Sequence, residues 1–148
     1  MSEYFLNYKS ERKGERHMNT ILHEAKRIED AIVKDRRYLH QNAETGHDLP
    51  ITTAYVTKRL EEMGLVPQII AKSAIVVTVG GKRPGKTFLL RGDMDALPIK
   101  EETNLPFSSE TPNMHACGHD SHTAMLLGAA KLLKDHEDEI EGSVKLIF

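Results

Sequence analysis

The sequence predicts an α/β layered fold, and three observations carry that expectation. Apolar residues recur at helical spacing in the first third of the chain. Short β-branched runs replace that period between residues 67 and 90. A second helical pattern follows, and then the strand-like "SVKLIF". Helices that alternate with β-branched strands pack as a sheet covered by helices.

The elements follow in order. Residues 1–18, "MSEYFLNYKSERKGERHM", have no core face and read as a polar extension, with Met18 as the expected true start of a portion running over residues 19–148. From residue 19 to 39, Ile21, Ala25, Ile28 and Ile32 recur three and four apart, with charges on the other face. "QNAETGHDLP" is a loop broken by Gly46 and Pro50. A second helix runs to Met63, with Val56, Leu60 and Met63 on one face and Gly64 as its stop. "PQIIA" and "AIVVTVG" then read as strands, and "GGKRPGK" as a hairpin turn. "TFLL" is a third strand, whose apolar run predicts burial on both faces. The connection over residues 96–114 holds Pro98, Pro106 and Pro112; loops of that length are usually functional or mobile. A helix is expected over roughly residues 121–135. The chain stops inside an apolar strand, so it is expected to be a fragment, or a reading frame cut short.

Composition excludes several classes. The formal net charge is −2, and no basic surplus points to nucleic acid. No apolar run reaches the length of a membrane span. The N-terminus is too polar for a signal peptide, and a single cysteine cannot form an internal disulfide. A reducing, cytoplasmic setting is the expectation.

"MHACGHDSH", residues 114–122, gathers three histidines and the only cysteine. Cys117 and His119 are two apart, so an extended segment would point both the same way. A thiolate beside an imidazole suits zinc or another borderline-soft divalent ion. Asp120 or Ser121 can cap the helix that follows. Zinc needs about four ligands, or three and a water. Asp93 and Asp95 follow the third strand, where α/β sheets collect ligands, so Asp93 can orient a metal-bound histidine or bind metal itself. Asp120 can support a ligand from behind. Two other readings stay open: Cys117 as a nucleophile beside a histidine base, and a cluster that only packs or stabilises a non-catalytic module. Glu101, Glu102 and "KDHEDEIE" read as solvated surface, and His23 and His136 as facing water.

Four segments resemble a known family in order: "RRYLHQNAETG", "LLRGDMDALPIKEETNLPFSS", "MHACGHDSHTAMLLGAAKLL" and "GSVKLIF". The chain is similar to the N-terminal part of metal-dependent amidohydrolases and aminoacylases related to zinc peptidases. The nearest subgroup contains hippurate hydrolase, N-acyl-L-amino-acid amidohydrolases and auxin-conjugate hydrolases. It departs from the family at Ala43, where a proline is usual. The resemblance implies a zinc-exopeptidase-like catalytic domain, truncated, with a mixed sheet between helices. It implies two divalent metal ions (zinc, manganese or cobalt), with Cys117 and His119 as ligands. Asp93, Asp120 and His122 stand beside them as supporting residues. It implies a small N-acyl amino acid or peptide-like substrate and a homodimeric parent. The general-base glutamate is expected just after Phe148, which would leave these 148 residues inactive alone.

Overall fold

The computed structural model describes residues 20–148; the polar extension and the expected start at Met18 lie outside them. Residues 20–27 are helical and lead through a turn at Ile28 into α1 (Glu29–Gln41). Helix α2 (Pro50–Glu62) begins on a proline at its first position, where the missing N–H costs nothing. Strands β1 (Gln68–Ile69), β2 (Ile75–Gly80) and β3 (Thr87–Arg91) follow. Helix α3 (His119–Asp135), a short 3-10 turn (Glu137–Glu139) and β4 (Ser143–Ile147) complete the order.

The four strands form one mixed sheet in the order β1-β2-β4-β3. Strand β2 is antiparallel to both β1 and β4, whereas β3 runs parallel to β4. The mixed sheet agrees with the fold expected from the resemblance. "GGKRPGK", however, is not a hairpin turn, because β4 lies between the strands it connects. The loop wraps the start of β4 instead. Gly81 N–H donates to the Gly142 carbonyl, and Gly142 and Ser143 donate back to Arg83 and Lys86. Turn composition reports a reversal but not which strand fills the gap.

The core lies between the helices and β2 and β4. Leu39, Val56, Leu60, Ile75, Val79, Leu127 and Leu146 are buried almost completely. Burial in β2 alternates, with Ile75, Val77 and Val79 inward, so the period-2 pattern decides which face packs. Strand β3 corrects the expectation of two buried faces: all five residues are exposed, including Phe88, Leu89 and Leu90. Among the described residues it stands at the end of the sheet, with β4 as its neighbour.

The connection over residues 96–114 is tied down at several points. Leu97 and Met114 exchange backbone hydrogen bonds, and Ala96 N–H donates to Glu44. The Thr111 hydroxyl and Asn113 amide both donate to the carbonyl of Ala43. Among the described residues, no helix is long and apolar enough to cross a membrane.

Candidate metal centre

Strand β3 delivers Gly92 and Asp93 directly against the first turn of α3. A Cβ at Gly92 would sit 3.0 Å from the His122 carbonyl oxygen, so the close approach depends on glycine. The Thr123 hydroxyl donates to the Asp93 carbonyl at 2.9 Å and fixes the approach. Gly118, at φ +79°, is the residue before α3, and no side chain caps the helix. The expected cap by Asp120 or Ser121 is therefore corrected: both residues lie inside the helix, which starts at His119. Cys117 and His119 are not related by an extended segment either. Cys117 lies in a turn closed by a hydrogen bond from Gly118 N–H to the His115 carbonyl, and it is exposed.

The structure brings Asp93, His119 and His122 together. One ligand-capable atom from each lies within 4.8 Å of the others. His122 Nδ1 stands 2.7 Å from Asp93 Oδ1. His119 Nε2 stands 3.7 Å from Asp93 Oδ2, too long for a hydrogen bond. His119 Nδ1 donates to the Asp95 carbonyl at 2.9 Å and faces its carboxylate at 3.0 Å. That bond makes Nδ1 the donor and turns Nε2 toward Asp93. The His122 hydrogen bond holds the Asp93 carboxyl below its usual range against the opposing effect of desolvation, and nearby His119 adds to the lowering. Two imidazoles and an ionised carboxylate are a donor set that suits zinc, manganese or cobalt. Asp93 and Asp95 also line an open cleft of about 570 Å³, with His47, Lys72 and Arg91 on its rim.

Asp120 faces the other way. Its side chain is fully buried. Oδ2 forms an ion pair with Arg36 Nε and accepts from His40 Nδ1, both at 2.7 Å, and Oδ1 accepts from Ser121 N–H at 2.9 Å. On its other side, His40 Nε2 donates to the Glu101 carboxylate at 3.1 Å. Glu101 also accepts from Ser109 N–H and the Thr103 hydroxyl. Burial would raise the Glu101 carboxyl, but the hydrogen bonds from Thr103, Ser109 and His40 outweigh it and bring it down to about 2. The reading of Glu101 as solvated surface is thus corrected: its side chain is 2% exposed. Phe107 packs under the guanidinium groups of Arg36 and Arg37, at 5.1 and 5.0 Å.

His136 does not simply face water. It bonds Glu24 at 2.7 Å and Glu139 at 2.8 Å. His115, in the same motif as His119, is buried beside His40 with both ring nitrogens lacking a hydrogen-bond partner. Sequence reasoning missed Arg36, His40 and Glu101. A signal existed for the first two: Asp35, Arg36 and His40 continue the three-and-four spacing of Ile28 and Ile32. Charged residues that fall on an apolar stripe need buried partners.

Comparison with known proteins points to one family. The model of the peptidase family M20/M25/M40 matches residues 89–148, which include β3, Asp93, His119 and His122. Over those residues the chain is similar to this family. It is 42% identical over 131 residues to the thermostable carboxypeptidase 2 of Saccharolobus solfataricus, covering 86% of this chain and 33% of that protein. It is 40% identical to the N-acyl-L-amino acid amidohydrolase of Geobacillus stearothermophilus, covering 84% and 35%. The crystal structure of the Bacillus subtilis YXEP protein, described as a dinuclear metal binding peptidase from the M20 family, superimposes with a TM-score of 0.79. It is 37% identical and covers 83% of this chain and 35% of that one. The chain thus spans about a third of the length of the curated relatives it matches.

Proposed function

We propose that the M20 protein to which these residues belong hydrolyses an amide bond in small N-acyl amino acids or peptide-like conjugates, with two divalent ions as cofactors. The carrying observation is the convergence of Asp93, His119 and His122 at the end of β3. The names of the Geobacillus and Bacillus relatives support the substrate class and the two ions. Bound there, a divalent ion supplies Lewis-acid polarisation of a carbonyl and an acidified water.

The chain's own residues do the rest of what this half-site can do. His119 presents Nε2 because Asp95 occupies its Nδ1. Asp93 is held ionised beside both rings. Cys117, exposed and two residues before His119, would be a further ligand, as the family resemblance implies. The proton-transferring glutamate comes from outside these residues, so the 148-residue chain binds metal without hydrolysing amides. The setting is cytoplasmic, the metal is zinc, manganese or cobalt, and the parent is a homodimer.

The nucleophile reading is weaker. A nucleophilic thiol needs a base within hydrogen-bond reach. Cys117 Sγ has no hydrogen-bond partner among the described residues. Metal titration of the purified chain tests the reading. Binding of Zn²⁺ or Co²⁺ that falls at least tenfold in His119→Ala and in His122→Ala supports it. Binding that is unchanged in both variants overturns it. Cys117→Ser in the same titration shows whether the thiol joins the site: weakened binding supports ligation, and unchanged binding removes Cys117 from it.

A further inference from the structure

Helix α3 is held from two sides at its first turn. Along a helix each residue advances about 100°, so Asp120 points roughly 130° away from the mean direction of His119 and His122. The histidines face Asp93, and Asp120 faces α1. Every acceptor direction that matters on Asp120 is filled, two of them from α1. His40 is itself braced from behind by Glu101, and Glu101 by the loop over residues 101–109. Arg36 Nη2 also lies 3.3 Å from His40 Nδ1, but Nδ1 donates to the Asp120 carboxylate and so has no lone pair for it, which makes that approach a contact and not a bond. The residue before the first turn is a left-handed glycine with no side chain to cap it; Ser121 and His122 N–H bond the Gly118 carbonyl, and Asp120 is the side chain that ties the turn to α1.

We propose that Arg36 and His40 are positioning residues for the metal cluster: by gripping Asp120 from α1, they fix the rotation of the first turn of α3 and so aim His119 and His122 at Asp93. The inference rests on the metal reading above. It also makes a sharper demand, because the two ring nitrogens of His40 have different tasks. Nδ1 holds Asp120, whereas Nε2 only braces against Glu101. An asparagine amide nitrogen occupies about the place of Nδ1, and a glutamine amide nitrogen reaches about the place of Nε2.

The test compares His40→Asn, His40→Gln and His40→Ala in the 148-residue chain by Co²⁺ titration. Nitrogen and proton signals of the His119 and His122 rings are recorded in the same variants without metal. Asp35→Ala serves as the control, because it breaks a buried ion pair on the same helix without touching Asp120. Expected are a weakening of Co²⁺ binding by about 10- to 100-fold in the Gln and Ala variants, the range seen when a ligand's supporting partner is lost. The Asn variant and Asp35→Ala should stay within about threefold of the parent chain on the same scale. The metal-free ring signals that report hydrogen bonds to Asp95 and Asp93 should survive in Asn and be lost in Gln. Equal Co²⁺ affinity in all three His40 variants, or Asn and Gln behaving alike, overturns the proposal. Failure of the unaltered chain to bind Co²⁺ overturns the metal reading instead. The ring signals then decide the positioning by themselves.

Discussion

Helix α1 carries two charged clusters one residue apart, and they differ in what they hold. Asp35 is buried and accepts from Tyr55 at 2.7 Å and from Arg59 at 2.9 and 3.2 Å, which staples α1 to α2. Arg36 and His40 reach Asp120 and staple α1 to the first turn of α3. The chemistry is nearly the same in both: a buried carboxylate with two partner side chains. The first joins two helices and bonds to no residue of the cluster at Asp93. The second joins a helix to the two histidines that face Asp93. A buried ion pair is weak evidence for stability in itself, because desolvation offsets much of the attraction. The difference lies in what each pair orients.

Four measurements can break or sharpen that contrast. Asp120→Ala should have the largest effect, since it removes the carboxylate shared by Arg36 and His40 Nδ1. Urea unfolding should show a loss of about 4 kcal/mol, and Co²⁺ binding should weaken together with stability. Asp35→Ala should cost about 3 kcal/mol in the same assay and leave Co²⁺ affinity of the folded chain unchanged. Loss of affinity there would mean that α1 acts as one rigid unit and the contrast fails.

Third is an acid limb of stability. Glu101 ionises near 2 in the folded chain and near the ordinary value, about 4.3, when unfolded. Its contribution is therefore present above about 4.3 and lost as the pH falls toward 2. Glu101→Gln should flatten the stability profile in that window, read by unfolding at a series of pH values. The smallest effect belongs to His136, raised by its hydrogen bond to Glu24 and then by Glu139. That stabilisation is present below about 6.5 and lost as the pH rises through the raised folded value. His136→Gln should remove this slight alkaline slope and leave the acid limb intact.

Much of this was legible in the residues, for identifiable reasons. The helices showed themselves because Ile21, Ala25, Ile28 and Ile32 keep one period, and β2 because its β-branched run alternates. Asp93, His119 and His122 were all named, because residue type and position at a strand end or helix start are local properties. Which of them would meet was not local. The pairing of Cys117 with His119 assumed an extended backbone, and Gly118 at φ +79° breaks that assumption. Glu101 read as surface because its partners, His40 and Ser109, come from 61 and 8 residues away. The place of β4 between β2 and β3 was invisible for the same reason.

That strand order also has a consequence for the growing chain. Strands β2 and β3 cannot complete their part of the sheet by pairing with each other, although they are close in sequence. Each waits for β4: Val76 pairs with Ile147, 71 residues later, and Thr87 with Ser143. Non-local pairing of this kind slows folding, because the connecting loop must close before any contact rewards it. On the ribosome, therefore, β2 and β3 emerge with open hydrogen-bonding edges and stay open until residues 143–147 clear the exit tunnel. Between synthesis and closure, two apolar strand edges of the same chain stand ready for any neighbour, which makes this the interval in which a chaperone matters most.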